Sequence, residues 1–466
     1  MPVIVIVADG ARPDILANAM TRGIVPALTA LRDEGAMHTV TSVFPSVTGP
    51  AYAPFLMGRY PGPIGLPGLR WYDRERKTCR LPGNSRSYVG PEMRHIDTDL
   101  DPSAPTIFEL AKTSVAALNV IGRGLPPQHR IGRGLRFVAR TGRTHFSGKV
   151  TGWLAIDKEI AAEVAEQIRQ KNPDFVFSAL TGIDKTSHSG GHEGAYVDRA
   201  LQIVDDTVAE IRHDAERRGA WESTHLWVVS DHGHSPVLGH EDLAGLIGRL
   251  GFRTIAHPFV FSPRGEIAVM VSGNAMAHVY LDLKRRTRPW LHELDDKWQR
   301  VRDVLLARES VDLMIIPAAV GACEIHSSGR GHARLEWRNG RITYEPVSGD
   351  PIGIGEQLDI TEDESYETTF GSDYPDALVQ IARISDSPRS GEIILSAARN
   401  WDFRSKYEPI PHESSHGALH REHMLVPLLM NRAPAIQPRR TVDVMPSALT
   451  ALGITIPSGL DGKSFL

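Results

Sequence analysis

The sequence predicts an α/β protein: a mostly parallel central sheet with helices on both faces, plus an inserted subdomain of mixed α/β type. Three observations carry this. The chain opens with Val3-Ile4-Val5-Ile6-Val7-Ala8, a β-branched run that reads as a strand buried on both faces, as in parallel sheets. Similar short apolar runs then alternate with amphipathic helical stretches up to residue 250, the pattern of βα units. Finally, 466 residues exceed the ~150 of an ordinary domain, leaving room for a large domain with insertions.

Taken in order, 13–34 has helical spacing (Ile15, Leu16, Ala19, Met20, then Ala27, Leu28, Leu31), 37–44 alternates like a strand, and 48–57 reads as a short helix. Residues 58–105, rich in Gly, Pro and Arg, read as a long excursion over the surface. Strands are expected at 117–121, 174–180 and 225–230, and helices at 155–171 and 194–217. Between 251 and 410 the pattern weakens to short strands, one helix near 289–307, and a hairpin. There 333–338 and 341–346 flank Asn339-Gly340, the preferred type I′ turn pair. A helix at 441–452 returns the chain to the main sheet. The reading is a core formed by 1–250 and 410–466, with 251–409 as the inserted subdomain.

Composition excludes several classes. Hydrophobic residues at 41% and charged residues at 23% rule out wholesale disorder and coiled coil. The 52 basic and 56 acidic residues leave a net charge of −4, no basis for binding a nucleic-acid polymer by phosphate neutralisation. No apolar run approaches the roughly 20 residues of a membrane span. Cys79 and Cys323 are too few for a disulfide framework or a cysteine zinc site and are expected as isolated thiols. The start has neither a basic segment nor a small-residue cleavage site, so a cytoplasmic location is expected.

Four segments place metal-liking residues just after expected strands: Asp9; Asp184 with His188; Asp231 with His232; and His416. Carboxylates and imidazoles suit zinc or manganese, and Asp184 and His188, at i and i+4, share a face if that segment is helical. Each piece alone is more often a turn; their placement at strand ends, where ligands gather in parallel sheets, raises their weight. Thr48, in Phe44-Pro45-Ser46-Val47-Thr48-Gly49-Pro50, would sit at a strand-to-helix turn whose free N–H groups favour phosphate. Helix capping by Thr48 or Ser46 explains the same residues equally well.

Together these pieces resemble the alkaline phosphatase superfamily, and within it the type I phosphodiesterase/nucleotide pyrophosphatase group. The resemblance rests on Asp9-Gly10-Ala11-Arg12-Pro13-Asp14, Pro45 to Pro50, Asp184 to His188, Ser230-Asp231-His232-Gly233, and His416-Gly417. Gly58-Arg59-Tyr60-Pro61 and the closing Gly459-Leu460-Asp461-Gly462 support it. It spans 3–250 and 410–466. It implies an alkaline-phosphatase-like core and two divalent ions, usually zinc with manganese as the alternative. One ion would be held by Asp184, His188 and His416, the other by Asp9, Asp231 and His232 with the Thr48 oxygen beside it. It further implies a small-molecule phosphodiester, nucleotide or other phosphorus ester as substrate, cleaved through a phospho-threonine on Thr48.

One position departs from the family: the Asn usually found three residues after the nucleophile is Ala51 here, so the backbone N–H of Gly49 or a cation such as Lys185 would have to hold the phosphate oxygen. A sulfatase is disfavoured, since Ser46-Val47-Thr48-Gly49 lacks the Cys or Ser before x-Pro-x-Arg. The alternatives are a phosphomonoesterase or phosphonate hydrolase on the same fold, then a phosphotransferase or mutase. Mutases of the superfamily use serine, which disfavours the last. His192, His234, His412 and His420 are weighed as partners of the ligands, with surface histidines the commoner explanation. The Arg-rich strip 123–149 reads as a solvated loop or as a lid over an anion; Trp71, Tyr72 and Trp153 are weighed as platforms for a base or a lipid chain, with core packing the commoner explanation.

Overall fold

Six of the seven strands of the central sheet run in one direction, and the first strand of the chain lies at its middle. The order is Ala36–Thr41, Leu425–Met430, His225–Val229, Val3–Ala8, Phe175–Leu180, Ser114–Ala117, Arg130–Ile131, and Leu425–Met430 alone opposes its neighbours. The computed structural model describes residues 1–75, 83–88, 91–148, 150–258, 264–404 and 412–466. Cys79 lies outside these, while Cys323 is a buried free thiol whose pKa burial pushes up to about 12.

Period-2 side-chain direction builds two cores from one strand. Ile4, Ile6 and Ala8 pack under Pro13–Thr21, Pro26–Glu34, Val150–Lys171 and Ala195–Arg217. Val3, Val5 and Val7 face the opposite layer, with Val444–Leu452 and Ala53–Met57. Several expected boundaries move for local reasons. The stretch 13–34 breaks into two helices because Gly23 takes φ +72° and Pro26 restarts the chain. The strand expected at 117–121 lies at Ser114–Ala117, since Leu118 and Val120 adopt positive φ. Residues 37–44 form a strand only at Ala36–Thr41. Gly49, at φ +102°, interrupts the helix expected at 48–57, leaving a single 3₁₀ turn and then Ala53–Met57.

The largest correction concerns 58–105. Instead of crossing the surface, its described residues bury Tyr60, Ile64, Leu66, Trp71, Tyr88 and Ile96, all but Tyr60 under the central sheet. Its Gly, Pro and Arg content resembles a solvated loop, yet irregular backbone can be buried where its polar groups find partners. Arg74 pairs with Glu392 at 2.8 Å and Arg86 with Asp99 at 2.7 Å, all four side chains nearly inaccessible. Arg59 meets Asp461 at 3.1 Å, joining two of the sequence fragments noted above. Trp71 packs edge-on against Tyr88, and Tyr72 against Tyr280.

Residues 254–397 build a nine-stranded sheet, antiparallel except where Thr254–Ala256 pairs with Ile267–Ser272. The expected hairpin is present as Gly331–Arg338 and Arg341–Gly349. Asn339 and Gly340 have φ of +53° and +75°, the signs a type I′ turn needs. The helix expected at 289–307 is Asp296–Leu306. This sheet reaches the strand ends of the first: the turn at Gly273-Asn274 lies on His416, forming a bridge with it, and Ser415 Oγ donates to the carbonyl of Gly273.

A candidate metal centre at the strand ends

Three adjacent parallel strands end level with one another. Ala8 pairs with Leu180 and Val7 with Val229, so the residues just beyond these ends are brought together. Asp9, Asp184 and Asp231 are there, at most 1% exposed. Gly10 makes the approach possible: its φ is +85°, and a Cβ there would stand 3.0 Å from Asp184 Cα and from His234 Cδ2.

The imidazoles are aimed by their backs. His188 Nδ1 lies 2.9 Å from the Ser414 carbonyl, His232 Nδ1 3.1 Å from that of Gly233, and His416 Nδ1 3.0 Å from that of Ser46. A carbonyl only accepts, so each Nδ1 carries a proton and each Nε2 is the ring atom turned inward. Around Asp184 Oδ1, Nε2 of His234 lies at 2.9 Å, of His188 at 3.2 Å and of His416 at 3.4 Å. Asp9, Asp231 and His232 form a second group, with ligand atoms within 4.8 Å of one another; Asp184, His232, His234 and His416 meet the same limit. The structure thus brings together every ligand candidate read from the sequence. It also adds His234 to the Asp184 group and leaves His188, though in reach of Asp184, outside the tighter set.

Thr48 stands at the carboxylate-rich end. Its hydroxyl is 3.3 and 3.4 Å from the Asp9 oxygens and 3.2 Å from His232 Nε2, and it is half-buried while Val47, Gly49 and Pro50 are buried. Neither capping explanation holds: Thr48 makes no cap hydrogen bond, Ser46 Oγ donates to the Ala418 carbonyl, and the helix begins only at Ala53. The expected phosphate site at a helix N-terminus therefore loses its helix. Lys185 Nζ lies 2.6 Å from Asp184 Oδ2 and over the Trp153 ring. Ala51 is fully buried among Val43, Phe44 and Tyr60, where an amide would have apolar neighbours.

The electrostatics show what the centre lacks. Burial, reinforced by Asp9, lifts the Asp231 carboxyl to about 8. Burial opposes charge on His232, yet Asp231 and Asp9 carry it to about 9. Burial would lift Asp184 too, but Lys185 and His188 hold it well below the usual range. His234 is pushed down to about 3 by burial. Asp231 Oδ2 is buried without a hydrogen-bond partner, so the space between Asp9, Asp231 and His232 draws positive charge. An oxygen- and imidazole-lined site of this kind fits divalent zinc or manganese.

Several contributors escaped the sequence reading. Tyr52 is buried and donates to Asp9 Oδ2 at 3.3 Å. Asp157 accepts N–H bonds from Thr181 and Gly182, fixing the loop that carries Asp184, and burial lifts it to about 7. It falls with Ile160, Ala161, Val164 and Ile168 on the buried face of Val150–Lys171, a signal available in the 3.6-residue period. His234, His412 and His420 are not surface histidines. His234 is inaccessible, His412 lies 4.7 Å ring to ring from His188, and His420 pairs with Glu422. His192, half-buried, is 3.7 Å from Glu193. Within the Arg-rich strip, Arg123 and Arg130 serve backbone carbonyls, whereas Arg136, Arg140 and Arg143 ride on an exposed helix; Lys149 lies outside the described residues. No helix of the described residues is long and apolar enough to cross a membrane.

Phosphonoacetate hydrolase from Sinorhizobium meliloti 1021 shares the fold, with a TM-score of 0.58 at 17% identity over 97% of this chain and 96% of that one. Murine ectonucleotide pyrophosphatase/phosphodiesterase 5 gives 0.57 at 16% over 98% and 96%, and the human protein 0.58 at 14% over 98% and 96%. No curated protein matches the chain in sequence. The family described as "Type I phosphodiesterase / nucleotide pyrophosphatase" matches residues 3–419, running through the 251–410 stretch that the motif reading left out and stopping short of the final helix. The chain therefore belongs to the type I phosphodiesterase/nucleotide pyrophosphatase family of the alkaline phosphatase superfamily, and is a phosphoric ester hydrolase.

Proposed function

We propose that the protein is a dinuclear metal-dependent hydrolase that cleaves a phosphodiester, of a nucleotide or another alcohol, through a phospho-threonine on Thr48. The observation that carries this reading is the position of Thr48 Oγ1, within 3.4 Å of both Asp9 and His232, at the half-exposed edge of an otherwise buried centre. Asp9, Asp231 and His232 would hold one ion, and Asp184, His188 and His416 the other, with His234 supporting Asp184. Bound there, divalent ions would lower the pKa of a hydroxyl and neutralise charge on phosphoryl oxygens.

The chain's own groups do the rest. Asp9, steadied by Tyr52, accepts the Thr48 hydroxyl proton and with His232 directs the Thr48 oxygen, which attacks phosphorus in line while the P–O bond to the alcohol breaks on the opposite side and the alcohol leaves with a proton from water. Lys185 offers a positive charge to a phosphoryl oxygen, and the Gly49 N–H supplies a second donor. Water then cleaves the Thr48 phosphoester and restores the hydroxyl. A phosphonate hydrolase is the second reading, favoured by the fold shared with phosphonoacetate hydrolase and by Lys185 as a partner for a second acid group.

A panel of bis-p-nitrophenyl phosphate, p-nitrophenyl phosphate and phosphonoacetate, each with zinc- or manganese-loaded protein, separates these readings. The diester is expected to turn over fastest. Dominant turnover of phosphonoacetate would favour the second reading, and dominant monoester turnover would overturn both in favour of a phosphatase.

A further inference from the structure

The helix Leu135–Ser147 turns an apolar stripe away from the protein. Leu135, Val138 and Phe146 are 90%, 62% and 76% exposed, and Ala139 is exposed beside them. With Gly142 they occupy one strip of roughly 100° on the helix surface. The opposite side holds Thr144, buried, and Phe137 and Thr141, half-buried, so the helix packs through its narrower, more polar face. Single exposed apolar residues are ordinary; three large ones on one side of a 13-residue helix are not.

Along the edge of this stripe run Arg136, Arg140 and Arg143, all exposed, with exposed Arg133 just before the helix. Arg140 pairs with Glu159. Among the described residues Arg136 and Arg143 have no ion pair, and the helix itself contains no acidic residue. An apolar face flanked by arginines is the arrangement of a helix lying in a bilayer interface, its apolar side among acyl chains and its cations at anionic headgroups. A second copy packed antiparallel through this face is the poorer fit, because it would bring the two arginine rows to the same edge.

We propose that Leu135–Ser147 docks the protein on an anionic lipid surface. This is independent of the chemistry assigned to the metal centre, though the two are neighbours. His145 lies edge-on to Trp153 at 6.4 Å, and the Trp153 ring lies 5.8 Å from Lys185 Nζ. A chain of contacts through His145 and Trp153 thus links this helix to Lys185 beside Asp184.

Co-sedimentation of the full-length protein with vesicles tests this, using phosphatidylcholine alone and with about one third phosphatidylglycerol. Binding to the anionic vesicles is expected to be at least ~10-fold tighter and to weaken as salt rises. Leu135→Asp, at a fully solvated position, and the triple variant L135D/V138D/F146D should each lose vesicle binding. Arg136→Glu with Arg143→Glu should lose the preference for phosphatidylglycerol. All should keep the parent's melting temperature and its turnover of a soluble ester. Absence of vesicle binding in the parent would overturn the proposal, as would binding unchanged in all variants. A concentration-dependent dimer abolished by Leu135→Asp, without vesicle binding, would also overturn it and assign the face to a second copy.

Discussion

Two regions bury charge, and they balance it differently. In the segment 58–105 and the sheet it packs on, every buried cation noted has a buried anion: Arg74 with Glu392, Arg86 with Asp99. His278 is neutral there, pushed down to about 4 by burial, its Nε2 on the Pro67 carbonyl and its Nδ1 accepting the Gly391 N–H. At the strand ends, three buried carboxylates, Asp9, Asp184 and Asp231, face one lysine, and the imbalance appears as raised affinities for protons. In the first region charge is matched within the chain, although burial still raises the Glu392 carboxyl; the second needs positive charge from outside. Buried charge alone therefore does not mark a functional site. Uncompensated buried charge does, because a chain that folds around it must recover the desolvation cost through a ligand.

The sharpest way to break the comparison is to remove the group that would use the imbalance. Thr48→Ala should keep fold and metal content yet lose at least ~10³-fold in kcat, whereas Thr48→Ser should keep part of the activity, since the hydroxyl remains and only its rotamer restraint is lost. Activity measured against metal content and melting temperature decides it: a folded, metal-loaded Thr48→Ala protein within about tenfold of the parent would pass the attack to water.

The balanced region should answer with stability. Arg86→Met removes the ion-pair partner of the buried Asp99 carboxylate, and about 3–5 kcal/mol should be lost in denaturant unfolding, with metal content intact in the protein that remains folded. A loss under about 1 kcal/mol would show that the pair is solvated after all.

His278 offers a pH readout away from the metal centre. Its folded pKa of about 4 lies below the 6.5 of the unfolded chain. The unfolded state therefore binds the extra proton first, and stability should fall as pH drops from 6.5 towards 4. The gap is worth up to about 3 kcal/mol. His278→Gln should flatten that part of the unfolding profile relative to the parent, and parallel profiles would show that His278 is not the titrating group.

The smallest effect carries the most telling sign. In chelated protein at neutral pH, Asp231→Asn spares the folded state the proton that the buried carboxyl must take up, and should raise stability by about 1 kcal/mol. The same variant in zinc should bind close to one ion where the parent binds close to two, by elemental analysis. Destabilisation of the chelated protein by Asp231→Asn would mean that Asp231 is already compensated by the chain.

Much of this was legible in the residues. The β-branched opening run, the strand at 175–180 and the Asn339-Gly340 turn all lie where local pattern puts them, since a two-sided burial and a type I′ turn each demand particular residue types nearby. Asp9, Asp184, His188, Asp231, His232 and His416 were marked by standing just past strands. The fate of 58–105 was not legible. Its composition is that of a loop, and the partners that let it be buried, Glu392, Pro67 with His278, and Asp461, are distant in sequence. Nor was His234 distinguishable from a surface histidine, because its burial depends on Gly10 letting two strand ends close over it.

The two periods, the strand-end positions of the carboxylates and the absence of a Cβ at Gly10 are properties of short stretches and stand in the residues alone. Which strands are neighbours is settled by the folded chain. That choice sets three carboxylates side by side, turns the Nε2 atoms of three imidazoles onto one oxygen of Asp184, and carries the Gly273-Asn274 turn onto His416. The reason is physical: charge surplus, desolvation and ring orientation are properties of a shared volume. No residue possesses them until chain segments hundreds of positions apart have excluded water from it.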